Sequence, residues 1–196
     1  MRMIEIIVTD KNGRVIEKRE INRDLFEEYL RREEVSGDYS TRWFARMLFY
    51  LFKYTTVNGV ETATVTDTTG TARSIRMKYN LSGSLFNNTS YADIGFYISV
   101  GTGTTPPTRD DYTLASKIAE GEASASVTED AGIITLTAGF TWTTDVTISE
   151  IGLEWYVNFS VSSPYNCRVL CDRTVLSPPI TVPAGTTLTV VYRFRL

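Results

Sequence analysis

The chain contains no histidine. That removes the side chain whose ordinary titration lies near neutral pH, and with it the usual general base and the commonest metal ligand. Cysteine is scarce: Cys167 and Cys171, in NCRVLCDRTVL, are the two present. Four residues of strand span roughly 13 Å, whereas a disulfide needs Cα atoms within about 7 Å. An extended segment therefore holds the two thiols apart, on one face with Val169 between them, where they read as small core residues. A metal site would need further soft ligands, and neither Cys nor His remains to supply them. A basic excess is missing too. Lys and Arg number 20 against 23 Asp and Glu, a net charge of −3, so no counterion-releasing face for nucleic acid is advertised. No stretch approaches eighteen uncharged apolar residues, so no membrane span is expected. The opening MRMIEIIVTDKNGR carries Glu5 inside its short apolar run and has no small-residue cleavage site. It reads as a strand, not a signal peptide, and the expected place of synthesis is the cytoplasm.

What is present fits a globular chain of 196 residues, 42% hydrophobic and 22% charged, long enough to bury a core without staples. Residues 3–21 read as a β-hairpin, because IEIIVTD and VIEKREI flank Lys11-Asn12-Gly13-Arg14 and Asn-Gly is the strongest short hairpin signal. INRDLFEEYLRREEV then predicts a helix with Asn22 as N-cap, Asp24 in the first turn, and Leu25, Phe26, Tyr29 and Leu30 on one face. A second helix is expected over SGDYSTRWFARMLFYLFKYTT, capped by Ser40 or Thr41. Its Trp43, Phe44, Met47, Leu48, Leu51 and Phe52 form a stripe that Phe49, Tyr50 and Tyr54 widen. A helix apolar over most of its circumference is covered by protein on more than one side. Either it is the central core helix of this chain, or part of it faces a neighbouring subunit.

From Thr55 onward Thr, Ser, Gly, Val and Ile dominate, which favours strands and turns. Asp67–Gly70 and Asp130-Ala-Gly132 read as hairpin turns. VTISEIGLEWYVNFSV reads as a long strand with Ile151, Leu153, Trp155 and Val157 on one face, and the chain closes on an alternating strand through Leu188, Val190, Tyr192 and Phe194. Roughly eight short strands at this density predict a mainly β fold: an antiparallel β-sandwich or jelly-roll-like domain over 58–196, preceded by an assembly region, 1–57, made of the β-hairpin and two helices.

Several stretches invite a chemical reading. YISVGTGTTPPTRDDYTLASKI places Gly101 and Gly103 after a strand, like a phosphate-binding loop. A dinucleotide fingerprint, however, needs a third glycine where Pro106 stands, and a P-loop needs Gly-Lys-Ser/Thr. The double proline also removes two N–H donors. The stretch reads as a strand exit, a tight glycine turn and a stiff loop, after which Leu114 and Ile118 dock on the sheet. Glu150 falls opposite Ile151 and Leu153 by alternation, and either faces solvent or pairs with an arginine such as Arg173. Thr108, Asp110 and Asp111 supply oxygens without EF-hand spacing and read as turn formers. Arg168, Arg173, Arg193 and Arg195 read as strand-surface residues. Asn80, Asn87, Asn88 and Asn158 begin Asn-x-Ser/Thr triplets, with Asn87 and Asn88 in LFNNTSY the candidate glycosylation sites. No nucleophile elbow occurs. No catalytic residue, cofactor or metal ligand is assigned.

Taken together, GTGTTPPTRDDYTL, TISEIGLEWY and DRTVLSPPITVPAGTTLTVVYRFRL resemble the C-terminal β-domain of virion proteins from tailed phages and archaeal viruses, especially tail, tail-tip and head-vertex components, over about residues 94–196. The resemblance implies an architectural subunit of a ring, nozzle, turret or shell. Its partners would be copies of itself and other virion proteins, with nucleic acid met only through a ring lumen, and its final location would be the virion. Trp43, Phe44, Met47, Leu48, Leu51 and Phe52 are the expected subunit interface. The alternative is a carbohydrate- or receptor-binding module, in which Tyr91, Tyr112, Trp142 and Tyr165 stack on sugars. A third is a carboxylate hydrolase, which would need Glu150 buried beside a second acid in a pocket.

Overall fold

The structure, a computed structural model, describes residues 2–23, 38–40, 60–78, 94–128, 133–160 and 164–195. Among the described residues twelve strands follow one another: β1 (Arg2–Thr9), β2 (Val15–Arg23), β3 (Asp38–Ser40), β4 (Val60–Thr66), β5 (Ala72–Lys78), β6 (Ile94–Gly101), β7 (Lys117–Glu122), β8 (Ser124–Thr128), β9 (Ile133–Thr141), β10 (Val146–Ser160), β11 (Pro164–Val182) and β12 (Thr187–Arg195). They form two five-stranded sheets, ordered β2-β1-β12-β9-β8 and β3-β11-β10-β6-β7, and the two-stranded ribbon β4-β5. Every pairing is antiparallel.

The predicted hairpins form where turn chemistry is local. Between β1 and β2, Gly13 takes a φ of +78°, and the Asp10 carboxylate accepts the amides of Asn12 (2.8 Å) and Arg14 (2.9 Å). Between β4 and β5, Gly70 takes a φ of +80°, while Asp67 accepts from the amides of Thr69 and Thr71, both at 2.9 Å. Left-handed backbone suits glycine because it lacks a Cβ. Strands β8 and β9 also pair, Ser124 opposite Thr137; the predicted turn at Asp130–Gly132 lies outside the described residues.

One apolar cluster draws on both large sheets. From the first come Ile4, Ile6 and Val8 of β1 and Leu188, Val190 and Tyr192 of β12; from the second come Ile98 and Val100 of β6, Ile151, Leu153 and Trp155 of β10, and Cys167, Val169 and Cys171 of β11. Period-two alternation explains each set. Both cysteines are free and buried, on one strand with Val169 between them.

Irregularities in β11 decide which residues face where. Leu153 pairs with Asp172 but Glu154 pairs with Leu170, leaving Cys171 as an extra residue. A bulge of this kind shifts all later side chains by one position. Past it, Asp172 faces the core, where the Tyr192 hydroxyl donates to its Oδ2 at 3.2 Å, and Arg173 turns to the opposite face. A single residue, Ala123, separates β7 from β8, so the chain passes there from an edge of the second sheet to an edge of the first; the Ala123 amide donates to the Phe96 carbonyl at 2.8 Å.

Three expectations change. Asn22, expected as a helix N-cap, lies in β2 opposite Met3, because the hairpin ladder runs on through Arg23. Ile118, expected to dock on the sheet, lies in β7 and is 41% exposed, because β7 ends its sheet. Ser40, one of the two expected caps of the second helix, lies in β3 opposite Asp172. The hairpin of residues 2–23 pairs with β12 along all of β1. Among the described residues there is no helix. The rest of the two predicted helices, including Trp43, Phe44, Met47, Leu48, Leu51 and Phe52, lies outside the described residues, as do Asn87 and Asn88.

Candidate functional site

The glycine loop does cradle an anion, and the anion is the chain's own. Glu150 sits on central strand β10, opposite Gly101 of β6 and Val175 of β11. Its carboxylate is fully buried. Oε1 accepts from the amides of Ser116 (2.6 Å) and Gly103 (3.1 Å). Oε2 accepts from the Ala115 amide (3.1 Å) and from Arg173 Nε (2.9 Å), with the Arg173 Nη2 at 2.8 Å. Arg173 is itself 2% exposed. It also donates to Asp111 Oδ2 (2.7 Å) and the Thr105 carbonyl (2.9 Å). Asp111 in turn accepts from the amide (2.9 Å) and hydroxyl (2.7 Å) of Thr108.

This geometry explains the glycines. A Cβ on Gly101 would stand 2.4 Å from the Ser116 carbonyl oxygen and 2.6 Å from Glu150 Oε1; one on Gly103 would stand 2.4 Å from Glu150 Oε1. No side chain fits, so close approach and not a left-handed backbone is what glycine supplies here. The loop's apolar anchor follows the same logic. Leu114 is buried, and a Cβ on Gly152 would meet its Cδ2 at 2.9 Å. Three backbone N–H groups and a guanidinium are the donor set of an oxyanion site. With Glu150 in place the set is filled, and a phosphate has nowhere to bind. Glu150 therefore pairs with Arg173, one of the two options open from sequence. The Asp111 carboxylate shapes a turn with Thr108, whose hydroxyl accepts the Asp110 amide at 3.3 Å. Arg173 departs from expectation: it is buried, because the bulge at Cys171 turns it under the loop.

A second ionic cluster lies beside the first. Lys117 and Glu120 of β7, Glu154 of β10 and Arg168 of β11 alternate in sign. Lys117 Nζ lies 2.8 Å from Glu120 and 3.3 Å from Glu154, while Arg168 bonds Glu120 and lies 3.8 Å from Glu154 Oε2. Glu154 is fully buried, and its Oε2 has no hydrogen bond. The Arg168 guanidinium rests 3.8 Å above the Tyr97 ring, a cation–π contact. Burial works against charge in Glu120, yet hydrogen bonds from Lys117 and Arg168 outweigh it and hold its pKa below the ordinary value. Burial likewise opposes the charge of Lys117, and its contacts with Glu120 and Glu154 still raise its pKa. Asp67 follows the same pattern: burial alone would raise its pKa, but hydrogen bonds from Thr69, Arg73 and the backbone lower it on balance. Burial is also the first cause at the thiols, pushing Cys167 up to about 11 and Cys171 well above its ordinary value.

Among the described residues no group of three or more acids, cysteines or histidines is placed to hold a metal ion, and no helix is long and apolar enough to cross a membrane. Of the aromatics considered for sugar stacking, Tyr112 is exposed, its ring lying against Gly70. Trp142 is half-buried and stacks on Phe140, centroids 6.0 Å apart. Tyr91 lies outside the described residues. The sequence reading missed Glu154 and the Asp172–Tyr192 bond. One signal was present for Glu154: it shares the Glu150 face of a strand long and apolar enough to be central, where outward acids are covered by neighbours. Compared with protein-family models, curated proteins and solved structures, the chain matches none of them.

Proposed function

We propose that this chain is a structural subunit of a virion, assembled into a ring, nozzle, turret or shell by packing against copies of itself and sister proteins. In this reading the two five-stranded sheets face one another as a sandwich. Their shared apolar cluster and the Tyr192–Asp172 bond between them support it. The observation that carries the functional reading is the use made of charge. Glu5, Asp67, Glu150 and Glu154 each lie within 4 Å of a cation of the same chain, so these four buried acids are tied up holding strands and one loop. Among the described residues β8 ends its sheet as an uncharged edge, which invites pairing unless it is covered, and symmetric assembly covers such an edge. The apolar run of sequence from Trp43 to Phe52, expected as a subunit interface, fits the same role.

Light scattering and electron microscopy of the purified chain test the proposal. A closed assembly of defined order is the expected result. A strict monomer up to millimolar concentration overturns it. One observation favours the second reading, a carbohydrate-binding module: Tyr112 is exposed on a loop that Glu150 and Arg173 hold in place. A glycan array on which binding disappears with Tyr112→Ala would establish that reading instead.

A further inference from the structure

Four strands end the two large sheets, and they are not equally guarded. Edge strand β2 carries Glu17, Lys18, Arg19 and Glu20, with Lys18 and Glu20 exposed. The edge β3 is three residues long. The edge β7 carries Lys117, Glu120 and Glu122. Charge and shortness are the usual means of blocking edge-to-edge pairing. Strand β8, Ser124-Ala-Ser-Val-Thr128, has no charge and no proline. Ser124, Ala125 and Ser126 are exposed, and β8 is the last strand of its sheet among the described residues. No described strand takes its outward N–H and C=O groups, which leaves this edge as the one a further strand would join.

We infer that β8 is a seam between two copies of this chain, paired antiparallel about a two-fold axis at Ser126. This inference rests on the assembly role proposed above and names its contact. An isologous pair places each residue against its own mirror position. Centred on Ser126, Ser124 stands opposite the partner subunit's Thr128, Ala125 opposite the partner subunit's Val127, and Ser126 opposite the partner subunit's Ser126. All five residues are paired, no charge meets a like charge, and small or β-branched residues fill every position, which suits a ladder. The register has a natural end: at Ala123 the chain turns away into the second sheet, where its amide is already bound to Phe96. Joined in this way, the first sheets of two subunits form one continuous sheet of ten strands. The charged edge β2 is a poor partner for β8, because its Lys18 is held by Glu5 and Glu20 and Arg19 by Glu17 and the Pro178 and Pro179 carbonyls.

Charge reversal across the axis tests the seam on the full chain. Ser126→Lys and Ser126→Glu each place like charges face to face, and each should raise the dissociation constant of the two-fold contact at least tenfold in sedimentation velocity. An equimolar mixture of the two should recover it as a one-to-one pair. Circular dichroism melts close to wild type would show that an exposed site has been changed without loss of fold. As a second variant, Ser126→Cys should form a disulfide-linked dimer on mild oxidation, since directly opposed residues have Cβ atoms about 4.5–5.5 Å apart and both native thiols are buried. If the wild type assembles while the charge variants keep its affinity and Ser126→Cys does not cross-link, this seam is wrong and the assembly role stands. A wild type that stays monomeric overturns both.

Discussion

Replacing Glu150 with glutamine removes one charge and almost no volume, so the loss it causes measures the cradle itself. In the native chain five donors converge on the two carboxylate oxygens. An amide cannot satisfy them. With its oxygen toward Gly103 and Ser116, the amide NH₂ points at the Ala115 N–H and the Arg173 guanidinium, donor against donor; flipped, it opposes Gly103 and Ser116 instead. Arg173, 2% exposed, then keeps Asp111 as its one acid. Breaking a buried ion pair by removing one partner costs about 3–5 kcal/mol. Both groups are buried, so solvent screening gives little relief. For a chain of this size each kcal/mol lowers the melting temperature by about 2–4 °C, which puts the expected fall near 6–20 °C for Glu150→Gln. Urea denaturation should show the midpoint moving with little change in slope, and limited proteolysis should open the chain first between residues 102 and 116. A double-mutant cycle with Arg173→Met isolates the pair, because Met removes the charge and keeps the chain length. Additivity of the two single losses, or a Glu150→Gln variant within about 0.5 kcal/mol of wild type, the range of ordinary surface changes, would show that the cradle does not hold the loop.

Gly103→Ala should destabilise by about 1–3 kcal/mol or more through overpacking, since its Cβ would meet Glu150 Oε1 at 2.4 Å, whereas Gly139→Ala, whose nearest neighbour is Thr187 at 3.8 Å, should stay close to wild type in the same melt. Glu5, Asp67 and Glu120 have folded pKa values below the ordinary 4.5 for Glu and 3.8 for Asp, so their stabilisation is present above those values and lost as pH falls through the depressed ones. Acid titration of stability should drop steeply below about pH 4.5, and Asp67→Asn should flatten that drop; an unchanged profile would contradict the assignment. Raised Lys117 acts at the other end, its contribution complete below the ordinary 10.5 and fading as pH rises past it. Cys167 and Cys171 should resist thiol reagents at pH 8 in the native chain and react fully in denaturant, because burial holds both as thiols; labelling of either in the folded state at the rate of a free thiol would show the strand opening.

Local chemistry was legible in the sequence, and long-range register was not. Asn12-Gly13 and Asp67–Gly70 announce their turns because every group involved lies within five residues. Alternation placed Ile151, Leu153 and Trp155 in the core correctly. The pairing of β1 with β12 joins positions nearly the full chain apart, and nothing in either strand marks the other as its partner. The extra residue at Cys171 is equally silent, since Val-Leu-Cys-Asp-Arg-Thr alternates plausibly with or without a bulge. One skipped position buries Arg173, which looked like a surface residue, and carries Asp172 to Tyr192. Gly101 and Gly103 read as a tight turn, whereas the fold uses them for a close backbone approach to an anion. Only the fold could show that the anion comes from residue 150.

The buried charges make sense as devices for uniqueness more than for stability. Desolvation offsets much of what an ion pair such as Glu150–Arg173 gains, and an apolar pair of equal volume would often hold a fold as well. An apolar patch, however, tolerates many positions of a loop, while a carboxylate with five donors tolerates one. Here the constraint reaches from the centre of β10 through Arg173 and Asp111 to Thr108, and fixes residues 102–116 against the sheet although Thr104, Thr105, Pro106, Arg109 and Tyr112 are exposed. For an enzyme such a loop would be a poor lid, because nothing in it is free to close. For a subunit that must present the same surface in every copy of a symmetric assembly, a loop with one allowed position is an advantage. The Glu150→Gln variant separates the two uses: an assembly protein should lose order in its oligomers under conditions where the variant's monomer is still folded.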